Sequence, residues 1–112
     1  MNRRELGRKG EDAACRYLEA RGWVILARNV VRPGGEIDIV ARLGEVIAFI
    51  EVKRRSSARY GTGAEAVTPL KQQRIAAVAL QYAQEHDLLD APLRFDVIEI
   101  NPDGLRHIES AF

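Results

Sequence analysis

Cysteine is almost missing from this 112-residue chain, with Cys15 its only thiol. A single thiol cannot close an intramolecular disulfide or build an all-cysteine zinc site. Long apolar runs are missing too: none approaches the roughly 20 residues that span a bilayer. The opening residues MNRRELGRKGED carry charge where a secretory signal has its apolar stretch. No repeat recurs and no linker divides the chain. An excess of one charge sign is also lacking: 17 basic and 16 acidic residues leave +1. That balance argues against indiscriminate coating of nucleic acid but permits a local basic face. What is present, 46% hydrophobic and 29% charged residues, is ordinary globular usage. The expectation is one soluble, cytoplasmic domain over residues 1–112, with no membrane partner.

The charge is unevenly spread. Arg3, Arg4, Arg8 and Lys9 crowd the start, and Lys53, Arg54, Arg55 and Arg59 form a second cluster with no acid between them. Either cluster alone reads as a solvated face.

Asn2 and Glu5 make a capping-box pattern, and Leu6, Ala13, Ala14, Tyr17 and Leu18 follow at helical spacing up to Gly22. Gly7 and Gly10 interrupt that helix, so its backbone is expected to approach something closely, most simply a sheet beneath it. WVILARNVV reads as a strand, broken by Arg32-Pro33-Gly34-Gly35. EIDIVARL and VIAFIEVKR are two more strands joined through Gly44-Glu45, a two-residue hairpin loop. Residues 56–67 read as a long loop. Thr68-Pro69 then starts a second helix, running to about Glu85, with Leu70, Ala76, Ala79, Tyr82 and Ala83 on its buried side. LRFDVIEIN is a fourth strand and LRHIES a short fifth. The predicted fold is α/β, a mixed sheet flanked by helices in the order α-β-β-β-α-β-β, the second helix crossing over to a parallel strand.

Pairing Leu43 with Val46 places Asp38 opposite Glu51 and Glu36 opposite Lys53. Strict alternation then puts all four on one sheet face. Like charges directly opposite are destabilising, so Asp38 and Glu51 need a compensating cation. Lys53 can supply it as a structural ion pair, or a divalent metal can, since hard cations favour carboxylate oxygens.

Glu11, Asp38 in GEIDIV and Glu51-Val52-Lys53 resemble the restriction-endonuclease-like nuclease signature of an Asp followed by Glu-x-Lys. The blocks LGRKGEDAACRYLEARGW, GGEIDIVA, FIEVKRR, YGTGAEAV with Lys71 following, and RFDVI together resemble the uncharacterised bacterial YraN-like family. That family is related to archaeal Holliday junction resolvases, and the blocks cover nearly the whole chain in order. The general motif often has Pro before its Asp, where this chain has Ile37. The resemblance implies a restriction-endonuclease-like fold and a Mg²⁺- or Mn²⁺-dependent nuclease acting on DNA, with branched recombination intermediates as candidate substrates and a homodimer as candidate assembly. It implies that Asp38, Glu51 and the Val52 carbonyl hold the metal, that Lys53 is base or electrostatic partner, and that Glu11 completes the acidic cluster. Arg4, Arg8, Lys9, Arg54, Arg55, Arg59, Lys71 and Arg74 are the candidate nucleic-acid contacts.

Blander readings stand beside these. Lys53 can be only a counter-ion, Glu11 a helix-surface acid and Glu36 a structural partner. Asp96 in LRFDVIEI lacks a Lys two residues on and reads as structural. His86 and His107 read as surface residues, and Cys15 as buried filler. The alternative function is a non-catalytic nucleic-acid-binding module on the same scaffold.

Overall fold

The computed structural model describes residues 3–55 and 67–112, and side chains from residue 8 onward within them. Helix α1 spans Arg3–Ala20. Strands β1 (Val24–Arg32), β2 (Gly35–Leu43) and β3 (Val46–Arg54) follow, then helix α2 (Pro69–Glu85) and strands β4 (Leu93–Asn101) and β5 (Gly104–Ile108). This is the predicted order. The strands form one sheet in the order β1-β2-β3-β4-β5. β3 and β4 are parallel across the α2 crossover, and the other neighbours are antiparallel. Among the described residues no helix is long and apolar enough to cross a membrane.

Local chemistry explains the turns. Arg32 pairs with Gly35 around Pro33-Gly34, and Gly34 takes φ +104°, the conformation a type II turn requires after its proline. Leu43 pairs with Val46 around Gly44-Glu45, with Gly44 at φ +61°. The predicted register holds from that turn back to Ile39 opposite Ile50.

Each sheet face buries one helix. Ala14, Cys15 and Leu18 of α1 pack on Ile39, Ala41, Ala48, Ile50 and Ile98. Gly10 lies close on the same face: a Cβ there would stand 3.8 Å from Val52 Cγ1. On the other face Ile75, Val78, Ala79, Tyr82 and Ala83 of α2 pack on Ile37, Val40, Phe49 and Val97. The stripe of α2 thus differs from the expected one. Leu70 is 55% exposed and Ala76 is exposed, while Ile75 and Val78 enter the core. Ile75, Val78, Ala79, Tyr82 and Ala83 follow one 3.6-residue phase, and Leu70 and Ala76 lie off it.

Candidate functional site

Strict alternation fails at Asp38. Ile37 joins the α2 core while Ile39 joins the α1 core, although two residues apart on a regular strand share a face. On β1 the residue between the pairs Arg28–Ile39 and Val30–Ile37 is Asn29, at φ +52°. Asparagine is one of the few residues that tolerate this left-handed conformation. The β2–β3 ladder ends at Ile39–Ile50. Beyond it the Val52 N–H donates to Asp38 Oδ2 at 2.8 Å. The expectation that Glu36, Asp38, Glu51 and Lys53 share one regular face is therefore corrected, because β2 twists at Asp38.

Two clefts meet at this point, and Asp38, Glu51 and Lys71 line both. One, of about 350 Å³, runs toward α2 past Gly35, Glu36, Thr68, Leu70 and Arg74. The other, of about 320 Å³, runs toward α1 past Gly10, Glu11, Val52, Lys53 and Arg54. Tertiary structure thus brings Glu11, Asp38, Glu51 and Lys53 to one place. Burial pushes the Asp38 carboxyl up to about 7, and Glu51, its neighbour, adds to the rise. The Val52 N–H opposes it, and Glu11 reinforces it from α1.

The cation on Glu51 comes from an unexpected element. Lys71 Nζ pairs with Glu51 Oε1, whereas among the described residues Lys53 makes no ion pair. The helix phase explains this. Lys71 lies four residues before Ile75, so it continues the core-facing stripe of α2. By the same rule Glu11 lies three before Ala14 and four before Cys15, on the inward stripe of α1. Both placements were legible as spacing once the stripes were known. Arg28 of β1, which sequence reasoning did not single out, lies 3.5 Å from Glu11 and 2.7 Å from Asp12.

The remaining candidates spread around this centre. Arg8, Lys9, Arg54 and Arg74 are exposed. Arg55 is drawn inward instead, to 3.8 Å from the fully buried Glu99, which Arg106 meets at 3.2 Å. The side chain of Arg4, and Arg59 together with the YGTGAEA block, lie outside the described residues. Glu99 was also missed; its only signal is an acid in the apolar run of β4.

A second polar cluster stands apart, on β4 and β5. Asp96 is fully buried and takes Arg94, His107 and the Ser110 N–H. Burial alone would raise its carboxyl, but the hydrogen bonds outweigh burial and hold it below the usual range. His107, expected at the surface, keeps only 5% of its side chain exposed. It lies 2.7 Å from Asp96 and 3.1 Å from Tyr17 Oη; pairing with a buried carboxylate is what places an imidazole inside. His86 is exposed and stacks on Tyr82. Cys15 is buried, and burial pushes its thiol up, as expected of filler.

Among the described residues no three His, Cys, Asp or Glu side chains converge as a ready metal group. Among the described residues, Asp38 and Glu51 line both clefts and could together offer a divalent cation an oxygen-only pair of ligands.

The sequence is 46% identical over 114 residues to a UPF0102 protein of Symbiobacterium thermophilum, covering 97% of each chain. It is 47% identical over 116 residues to one of Geobacter metallireducens, covering 100% of this chain and 95% of that one. A third, of Thermodesulfovibrio yellowstonii, is 46% identical over 112 residues, with 100% and 99% covered. Residues 10–100 match the uncharacterised protein family UPF0102, and they contain Glu11, Asp38, Glu51, Lys53 and Lys71. The chain belongs to the uncharacterised protein family UPF0102.

Proposed function

We propose that this protein is a Mg²⁺- or Mn²⁺-dependent nuclease of restriction-endonuclease-like fold that hydrolyses phosphodiester bonds in DNA. The observation that carries the reading is the convergence of Asp38 and Glu51 at the end of the β2–β3 ladder, in a cleft that Lys53 also lines. Facing carboxylates destabilise a fold, and proteins tolerate such local costs chiefly at functional sites. In this reading Asp38, Glu51 and the Val52 carbonyl hold the cation, and Glu11 adds negative charge from α1. The cation, when bound, lowers the pKa of water and stabilises charge developing on phosphate. Lys53 orients the attacking water or a phosphate oxygen, its ammonium being free of ion pairs to described residues. The Val52 N–H fixes the orientation of the Asp38 carboxylate. Arg8, Lys9, Arg54 and Arg74 give phosphates a basic rim.

The decisive experiment is a cleavage assay on linear, flapped and four-way DNA with Mg²⁺ or Mn²⁺, beside chelator and Asp38→Asn controls. Metal-dependent products that vanish in the variant support the reading. Retention of DNA without cleavage under every condition would leave a binding module in its place.

A further inference from the structure

The cation on Glu51 belongs to a helix that is otherwise firmly seated. Thr68 caps α2 by accepting the Lys71 N–H at 3.2 Å, the Gln72 N–H donates to the Thr68 carbonyl at 2.9 Å, and Gln72 Nε2 donates to the Val67 carbonyl at 3.1 Å. The backbone under Lys71 is thus fixed. Its side chain is not: it is 44% exposed, against 7% for Glu51, and its four-carbon stem carries a compact, rotatable ammonium. One ammonium cannot neutralise two carboxylates, and this one serves Glu51, while the Val52 N–H donates to Asp38. A buried Glu51 without any cation would be strongly destabilising. The lysine therefore fills a need that exists only while the pair lacks a stronger cation.

Building on the nuclease reading, we propose that Lys71 is a resident counter-ion on Glu51, which a divalent ion must displace to bind. Asp38 and Glu51 would both be compensated if they held a divalent ion, and the Lys71 ammonium would then be left unpaired. Because Lys71 lines both clefts, the released ammonium stays at their junction. There it meets any phosphate brought to the cation, so that cation binding also prepares the substrate site. Lys71 is on this account a positioning residue whose ion pair competes for the carboxylate that the cation needs.

The test is calorimetric titration of the full chain with Mn²⁺, on wild type, Lys71→Met, Lys71→Arg and Glu51→Gln. Removing the competitor should tighten Mn²⁺ binding by Lys71→Met by roughly two- to fivefold, the worth of a partly exposed ion pair. Lys71→Arg should stay near wild type, and Glu51→Gln should lose most affinity. Equal or weaker binding by Lys71→Met, with wild type binding normally, overturns the competition and leaves the metal site standing. No binding by wild type or Lys71→Met overturns both. Since Lys71→Met leaves Glu51 uncompensated and can unfold the chain, a second measurement uses wild type alone. The rate at which an amine reagent modifies Lys71, followed by peptide mass spectrometry, should rise severalfold with saturating Mn²⁺. An unchanged rate while calorimetry records binding refutes the proposal.

Discussion

Asp38 Oδ2 accepts the Val52 main-chain N–H at 2.8 Å, so a β2 side chain takes up a β3 backbone donor just past the last ladder pair, Ile39–Ile50. That bond holds a carboxylate beside Glu51 where simple repulsion would drive it into solvent. Holding the two groups together carries an electrostatic cost, and that cost is measurable.

Stability should respond to pH through Asp38. Its folded pKa, about 7, lies above the ordinary 3.8, so between these values the folded chain binds more protons than the unfolded one. The contribution is full below about 4 and is lost as pH rises through 7, on the order of a few kcal/mol at most. Thermal melts of wild type from pH 5 to 8 should show this decline. Asp38→Asn, whose amide oxygen can still accept the Val52 N–H, should flatten it and melt higher at pH 8. An equally steep decline in the variant refutes the assignment.

A divalent cation should reverse the same penalty. Adding Mg²⁺ or Mn²⁺ at pH 8 should raise the melting temperature of wild type by mass action. Glu51→Gln should lose the gain. Equal shifts in both proteins would put the ion elsewhere.

Asp96 should behave in the opposite sense. Its carboxyl is held below the ordinary range, so its contribution is present above the unfolded pKa and disappears as pH falls through the lower folded value. Asp96→Asn weakens the hold on Arg94 and His107 and should cost roughly 3–5 kcal/mol, as breaking a buried charge pair does. Urea unfolding at pH 7 measures it; a loss below 1 kcal/mol would refute the structural role.

DNA affinity should depend on the basic rim unequally. Arg54 is exposed beside the cleft, while Arg55 leans on buried Glu99. Arg54→Ala should flatten the slope of log affinity against log salt by roughly 0.9 for duplex DNA. Arg55→Ala should show its larger effect on melting temperature, because Glu99 loses a cation. Filter binding across salt concentrations, paired with melts, separates the two; identical profiles for both variants would contradict the division.

Much of this protein is settled by local chemistry. Pro33-Gly34 and Gly44-Glu45 fix two hairpins, the hairpin register carries Asp38 and Glu51 to neighbouring positions just past the last β2–β3 ladder pair, and Thr68-Pro69 starts α2. These features depend on neighbours in sequence or on one short turn, so the residues alone determine them. The break in alternation at Asp38 is different, because it depends on Asn29 of β1 and on which core claims Ile37. The choice of Lys71 over Lys53 as the cation of Glu51 is different too. It requires the phase of α2, which Ile75 and Val78 set by packing on the sheet, and it requires the crossover to lay that helix over β2, within reach of Glu51 on β3. The burial of His107 follows only when β5 lies against β4 and α1 covers it. Short-range geometry brings the two carboxylates together, while the partners that balance their charge come from distant segments. Only the tertiary structure decides those partners, because Coulombic pairing depends on distance in space and not on separation along the chain.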